Sequence, residues 1–288
     1  MSRQENSDRL GVLKTYKLYI DGKFPRTESG RYFKLKAADG KILANVCQGS
    51  RKDVRDAVTA ARTAFAKWSR QTAYLRGQIL YRVAEMLEGR RLQFTEELVE
   101  QGVTRDKAIA EVSESIDTLV YYAGWSDKYP QIFSAVNPVA SSHFNFSMPE
   151  PTGVVCVLAP ELPSLLGLVR AIAPVIIGGN TAVVLVSSKQ PLSGITFGEV
   201  LHTSDLPSGV VNLVSGFRDE LIKTMASHMD VNAILLCAEK DRVGDSVVVQ
   251  EQAIENLKRV SVWKDIEANP YRIMEFQEIK TTWHPVGA

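Results

Sequence analysis

No sign of charge dominates these 288 residues. Thirty-four Lys and Arg stand against 33 Asp and Glu, a formal charge of +1, so no global field draws the chain to DNA, RNA or an anionic membrane surface. Cysteine is scarce: Cys47, Cys156 and Cys237 are too few and too dispersed for a disulfide framework, and the last two sit in apolar runs where a free thiol packs as a small hydrophobe. A reducing cytoplasm is the expected compartment. The longest apolar stretches are short and broken by Pro, Arg or Gly, and the opening MSRQENSDRLG has no apolar signal core, so neither membrane insertion nor export is expected. His143, His202, His228 and His284 are widely separated with no helical pairing, which gives a metal site no support. Internal repeats and low-complexity tracts are also missing. What remains, 45% hydrophobic and 23% charged, is an ordinary globular composition with length for one large core or two lobes.

After a polar tail over 1–15, KLYIDGKF and YFKLKAADGKILANV read as short strands punctuated by Asp-Gly turns. Ser50 is placed to cap a helix with Asp53 three residues on, and Val54, Val58, Ala61 and Phe65 recur at helical spacing as far as Trp68. Further amphipathic helices are predicted over 73–90, 92–102 and 107–128. SSHFNFSMPE alternates polar and aromatic residues as an exposed or edge strand would. From Gly153 strands and helices alternate: GVVCVLA, SLLGLVRAIAPVII, AVVLV, a helix over 193–203, GVVNLVS, a helix over 219–227, and AILLCA. Continuous apolar strands joined by helices imply an α/β fold, a parallel sheet covered on both faces. A helix over 245–260 and a terminal strand in RIMEFQEIKTTWHP, stopped by Pro285, complete the reading. The divisions expected are an N-terminal hairpin and helical part over 16–138, an arm over 139–150, a βαβ part over 151–262, and a linker with a final strand over 263–288.

The blocks YKLYIDGKF, DVRDAVTAARTAFAKW, YYAGWSDKY, EPTGVVCVLAP, IAPVIIGGNTAVV and LPSGVVNLVSG, in this order and covering the chain to about Gly216, resemble the aldehyde dehydrogenase superfamily. The nearest resemblance is to the truncated C-terminal unit of family-sixteen members. It implies a Rossmann-like cofactor domain, a catalytic domain inserted later in the chain, and a small β lobe for oligomerisation built from an arm and the last strand. AIENLKRVSVW resembles the segment leading into the catalytic domain and EFQEIKTTWHP the last strand, so the resemblance implies that the insertion carrying the nucleophilic cysteine and the general-base glutamate is missing between them. The cofactor crevice is altered as well. Where the family has Pro-Trp-Asn-Phe-Pro, whose Asn donates to the oxyanion, this chain has the shorter Pro160-Glu161-Leu162-Pro163. The family's ribose-holding Lys-Pro-Ser-Glu corresponds to Val186, Ser187, Ser188 and Lys189, and Phe-Thr-Gly-Ser to Leu236, Cys237, Ala238 and Glu239. Glu239 is therefore expected at a helix start, as an internal anion that repels a phosphate.

The crevice residues Glu161, Leu162, Val186, Lys189, Ala238 and Glu239 thus form no cofactor site, and no cofactor is expected beyond weak NAD or NADP binding. Cys237 as a relocated nucleophile is outweighed by a buried structural thiol, since no base stands at an activating spacing. Glu161 as a general base is outweighed by a solvated or capping role, and Gly178-Gly179-Asn180 reads as a tight turn. Two function classes follow: a catalytically inactive subunit that binds and stabilises a longer aldehyde dehydrogenase-like chain, or a cofactor-binding subunit completed by its partner's catalytic residues. The expected interface is the arm, with Phe144 and Phe146, together with a tail strand over 272–283 carrying Phe276, Ile279 and Trp283. A self-dimer is the runner-up, and neither nucleic acid nor membrane is an expected partner.

Overall fold

The computed structural model describes residues 12–37 and 39–287; of the expected polar tail, 1–11 fall outside the described residues. The N-terminal β unit comprises β1 (Thr15–Tyr16), β2 (Tyr32–Lys36) and β3 (Ile42–Cys47), in the order β1-β3-β2. It is fastened to the main sheet through Tyr19, whose N–H and carbonyl exchange bonds of 3.0 and 2.7 Å with Leu213. The Asp-Gly turn beside it has both residues at positive φ, 53° and 68°, the primed geometry that Asp-Gly favours. A Cβ on Gly22 would stand 2.3 Å from Ser208 Oγ, so glycine is required there for space as well as for conformation.

Helix α1 (Arg51–Trp68) opens on the expected capping box: Asp53 N–H donates to Ser50 Oγ (3.2 Å) and Ser50 N–H to the Asp53 carboxylate (2.7 Å). Then come α2 (Ala73–Glu88), α3 (Arg91–Glu100), α4 (Arg105–Trp125) and α5 (Lys128–Phe133), followed by β4 (Ala135–Asn137) and β5 (His143–Pro151). The alternating half runs β6 (Val154–Leu158), α6 (Ser164–Ile177), β7 (Thr181–Leu185), α7 (Pro191–His202), β8 (Val211–Val214), α8 (Arg218–Ser227), β9 (Ala233–Cys237), α9 (Asp245–Ala253) and β10 (Arg259–Trp263). A short α10 (Tyr271–Met274) precedes β11 (Gln277–Pro285).

Five strands in the order β10-β9-β6-β7-β8, all parallel, form the central sheet. Successive side chains alternate faces. Val155, Val157, Val184 and Leu235 join the core made with α2, α4, α6 and α7, while Val154, Cys156, Val183 and Ile234 join that made with α1, α8 and α9. This is the expected Rossmann-like α/β sheet, helices on both faces.

Two expectations are corrected. The helix predicted over 245–260 stops at Ala253; Leu257 at φ 52° turns the chain, and RVSVW becomes β10. Val260 and Val262 face one side and pack on the second core, the alternation of a strand at a sheet edge. The terminal strand likewise starts at Gln277, not Arg272, which lies in α10.

The small lobe is a three-stranded antiparallel sheet in the order β11-β5-β4. Its register runs from Gln277 opposite Pro151 to Pro285 opposite His143. Eight of the nine β11 residues are exposed, and among the described residues nothing pairs with the outer edge of β11. No described helix is long and apolar enough to cross a membrane.

Candidate functional site

The chain passes from β6 to β7 and β8 on one side of the sheet, then returns to β9 on the other side of β6. This reversal places a switch point between the carboxyl ends of β6 and β9, where open α/β sheets bind ligands. A cavity of about 360 Å³ opens there, lined by Leu162, Pro163, Cys237, Glu239, Lys240 and Trp263 among others.

Beside it, the donors of the loop after β7 are matched from within the chain. Glu161 is buried, and its Oε2 accepts from Ser188 N–H (2.8 Å), Lys189 N–H (3.0 Å) and Ser187 Oγ (3.0 Å), while Oε1 accepts from Ser188 Oγ (3.0 Å). Glu161 therefore caps the loop after β7 and is not solvated. The Glu161 N–H in turn donates to Glu239 Oε1 at 2.7 Å. Glu239 is not at a helix start, as its sequence position suggested. Helix α9 begins at Asp245, Glu239 lies in the loop before it, and Ala238 N–H extends the pairing of β9 to Trp263 O (2.8 Å). Val186 is buried in the core, and its N–H bonds Val214 O at 3.0 Å, so it presents nothing to a sugar. Lys189 and Leu162 are exposed.

Arg218, which sequence reasoning missed, bridges the carboxyl ends of β6 and β9. Only 5% exposed, it donates to Ala159 O (2.7 Å) and Cys237 O (3.4 Å) and pairs with Asp245 (3.3 Å). Arg242 also holds Asp245, at 2.8 Å, and reaches Asp219; these carboxylates keep its guanidinium protonated more firmly than usual. A signal for Arg218 existed: a cation at a helix start opposes the dipole and needs another partner.

The helix starts facing this region, where a phosphate would ordinarily sit, are occupied by the chain's own groups. Buried Glu111 of α4 accepts from Leu165 and Leu166 N–H of α6 at 2.7 and 3.3 Å. Burial raises its pKa, and the two N–H bonds only partly offset that. Gln101 accepts from Leu192 N–H of α7 at 3.0 Å, and Asp245 stands in the first turn of α9. Cys237 is buried and its thiol is pushed up to about 12, chiefly by burial, so a nucleophilic thiolate is not available at neutral pH. Among the described residues no group of three or more His, Cys, Asp or Glu is arranged to hold a metal. Asn180, in the expected tight turn, is fully buried; it accepts from Gly153 N–H (2.8 Å) and donates to Phe276 O (2.9 Å).

The small lobe separates the five expected interface residues. Cross-strand partners share a face, and the register puts Phe144, Phe146, Met148 and Val136 on one side of the sheet and Ile279 and Trp283 on the other. The Phe144 and Phe146 rings lie 5.5 Å apart, and Trp283 meets His143 edge-on at 5.8 Å. Phe276 is not an interface residue. It is fully buried in the chain's own core, its ring 6.4 Å from that of Trp263, because it precedes β11 and follows the buried Ile273.

Comparison with known proteins places this geometry. The model of the aldehyde dehydrogenase family matches residues 24–263. Retinal dehydrogenase 2 of Gallus gallus is 34% identical over 257 residues, 87% of this chain and 48% of that protein. The crystal structure of HpcC from Thermus thermophilus superposes with a TM-score of 0.81 at 28% identity, over 86% of this chain and 48% of the other. The NAD+ complex of an aldehyde dehydrogenase from Bacillus cereus does so with 0.80 at 26%, over 86% and 50%. The chain thus spans about half the length of the curated relatives it matches.

Proposed function

Since this chain belongs to the aldehyde dehydrogenase family, we propose that it works without catalysis, as a subunit that binds and stabilises a longer aldehyde dehydrogenase-like chain. The observation that carries this reading is the outer edge of β11: nine residues of regular strand, eight of them exposed, with backbone donors and acceptors paired on one side only among the described residues. Such an edge invites another strand. Two further features support it. Around the switch point Glu161 accepts from the loop after β7, Glu111 accepts from the start of α6, and Arg218 donates to the strand-end carbonyls of Ala159 and Cys237. Between β10 and β11 only residues 264–276 intervene, which leaves no room for the catalytic domain that the resemblance puts there. A reducing compartment suits the three buried free cysteines.

Co-purification from source cells tests the proposal. The intact chain is expected to bring down a longer family member, and deletion of Gln277–Pro285 to abolish this while circular dichroism still reports a folded α/β core. A native mass equal to one 31.9 kDa chain, or a complex that survives the deletion, would sink the idea. The cavity at the switch point favours a second reading, residual dinucleotide binding. A ligand held only by the folded state at 100 times its Kd adds about 2.7 kcal/mol of stability. No rise in melting temperature with millimolar NAD+ or NADP+ is expected, and a saturable rise with either would establish the second reading.

A further inference from the structure

We infer that the groove between α2 and α4 is a binding site for a small organic cation, an amine carrying an aromatic body. This goes beyond the subunit reading and does not depend on it. The groove encloses about 740 Å³, inside the range of about 300–1,000 Å³ that small-molecule sites occupy, and it shares no lining residue with the cavity at the switch point. Small residues make its floor. Gly77 of α2 lets the two helices close up, since a Cβ there would overlap Ser126 Oγ and stand 3.0 Å from Ala123 O. At Gly124 of α4 the space is open, and a Cβ would meet only Lys128 Nζ, at 3.8 Å. Around this floor stand Tyr74, Leu75 and Tyr81 from α2 and Val120 from α4, all exposed. Single exposed apolar side chains are ordinary on a protein surface; four gathered around one concavity mark a place where something binds.

The charges select the occupant. Arg82 is the one cation in the lining, and Glu85 takes it at 2.8 Å. Asp127 and Asp205 also line the groove, and among the described residues their carboxylates have no ion pair within reach. Asp205 comes from the segment after α7, where it holds a left-handed backbone at φ 62°, a conformation that Asp and Asn adopt more readily than most residues. Even counting Lys128 beside Gly124, three carboxylates face two cations. Tyrosine rings attract a cation over their faces, and an aromatic body covers the apolar rim. An anion of the same shape would meet Asp127 and Asp205 instead.

The test is a titration of the full chain, followed by backbone amide resonances at constant ionic strength and neutral pH, with three probes that share a phenyl ring and differ in charge: phenethylammonium, 2-phenylethanol and 3-phenylpropionate. Phenethylammonium is expected to bind saturably, to shift Gly77 and Gly124, and to bind about five-fold or more tighter than the alcohol, with the carboxylate weakest. Asp127→Asn combined with Asp205→Asn, which keeps a residue suited to the left-handed position, is expected to erase the preference for the ammonium while the alcohol binds as before. Gly124→Leu fills the groove at an exposed helical position where leucine is the better helix former, and is expected to abolish binding of all three in a chain that circular dichroism shows to be folded. An absence of saturable phenethylammonium binding would overturn the inference. So would equal binding of the alcohol, a preference that survives the double substitution, or shifts confined to another part of the chain.

Discussion

Glu97 shows how one side chain carries a pH dependence. It is buried on α3, accepts from Tyr16 OH (3.2 Å) and Thr196 Oγ1 (2.9 Å), and leaves Oε2 without a partner. Burial outweighs these bonds and lifts its pKa above the ordinary 4.5; the pKa of buried Glu111 is lifted in the same direction. A carboxyl whose folded pKa is raised binds more protons in the folded state. Its stabilising contribution is complete below the unfolded value and is lost as the pH climbs through the folded one. Relative to Glu97→Gln, wild type is therefore expected to lose stability as the pH rises from about 4.5, read from urea midpoints at a series of pH values. A difference that grows in the opposite sense would show that the hydroxyl donors, not burial, dominate. At this scale the sequence was partly legible. Cys237 in its apolar run read as a buried thiol and is one. Glu161 read as either solvated or capping, and which of the two holds was not legible, because its partners Ser187 to Lys189 are brought to it only by the parallel pairing of β6 with β7.

Helices were the most legible elements, because their apolar spacing and caps are local. Ser50 and Asp53 announce α1, and the structure adds a tie invisible in sequence: Asp53 also accepts from Thr27 Oγ1 at 2.6 Å and Glu28 N–H at 3.2 Å, joining the N-terminal β unit to the helix start. Ser50→Ala removes one side of the box and is expected to cost about 1 kcal/mol, measured by denaturant unfolding. Asp53→Ala should cost more, since it also strands Thr27 and Glu28. Equal losses would mean that the tie to the β unit carries no stability. The first two residues of β10, Arg259 and Val260, were misread as the end of a helix because five residues with two valines facing one way carry too little periodicity to separate the two structures; the edge of the sheet, a tertiary fact, decides it.

For the molecule as a whole, the alternation from Gly153 onward was enough to predict a parallel sheet covered on both faces, since only that arrangement buries continuous apolar strands on both sides. What stayed hidden was how the ends meet. Phe276 was read as surface because EFQEIKTTWHP looks like one uninterrupted strand, whereas α10 and the bond from Asn180 to Phe276 O turn its first residues into the core. The pairing of β11 with β5 also sets an order in time. Ser147 and Thr281 bond across 134 residues of sequence. At ordinary rates of synthesis the arm therefore leaves the ribosome roughly 7–27 s before the strand that completes it. Throughout that interval β5 has only the three residues of β4 beside it, so its other backbone edge stays open, a ready template for a wrong partner strand, until Gln277–Pro285 emerges.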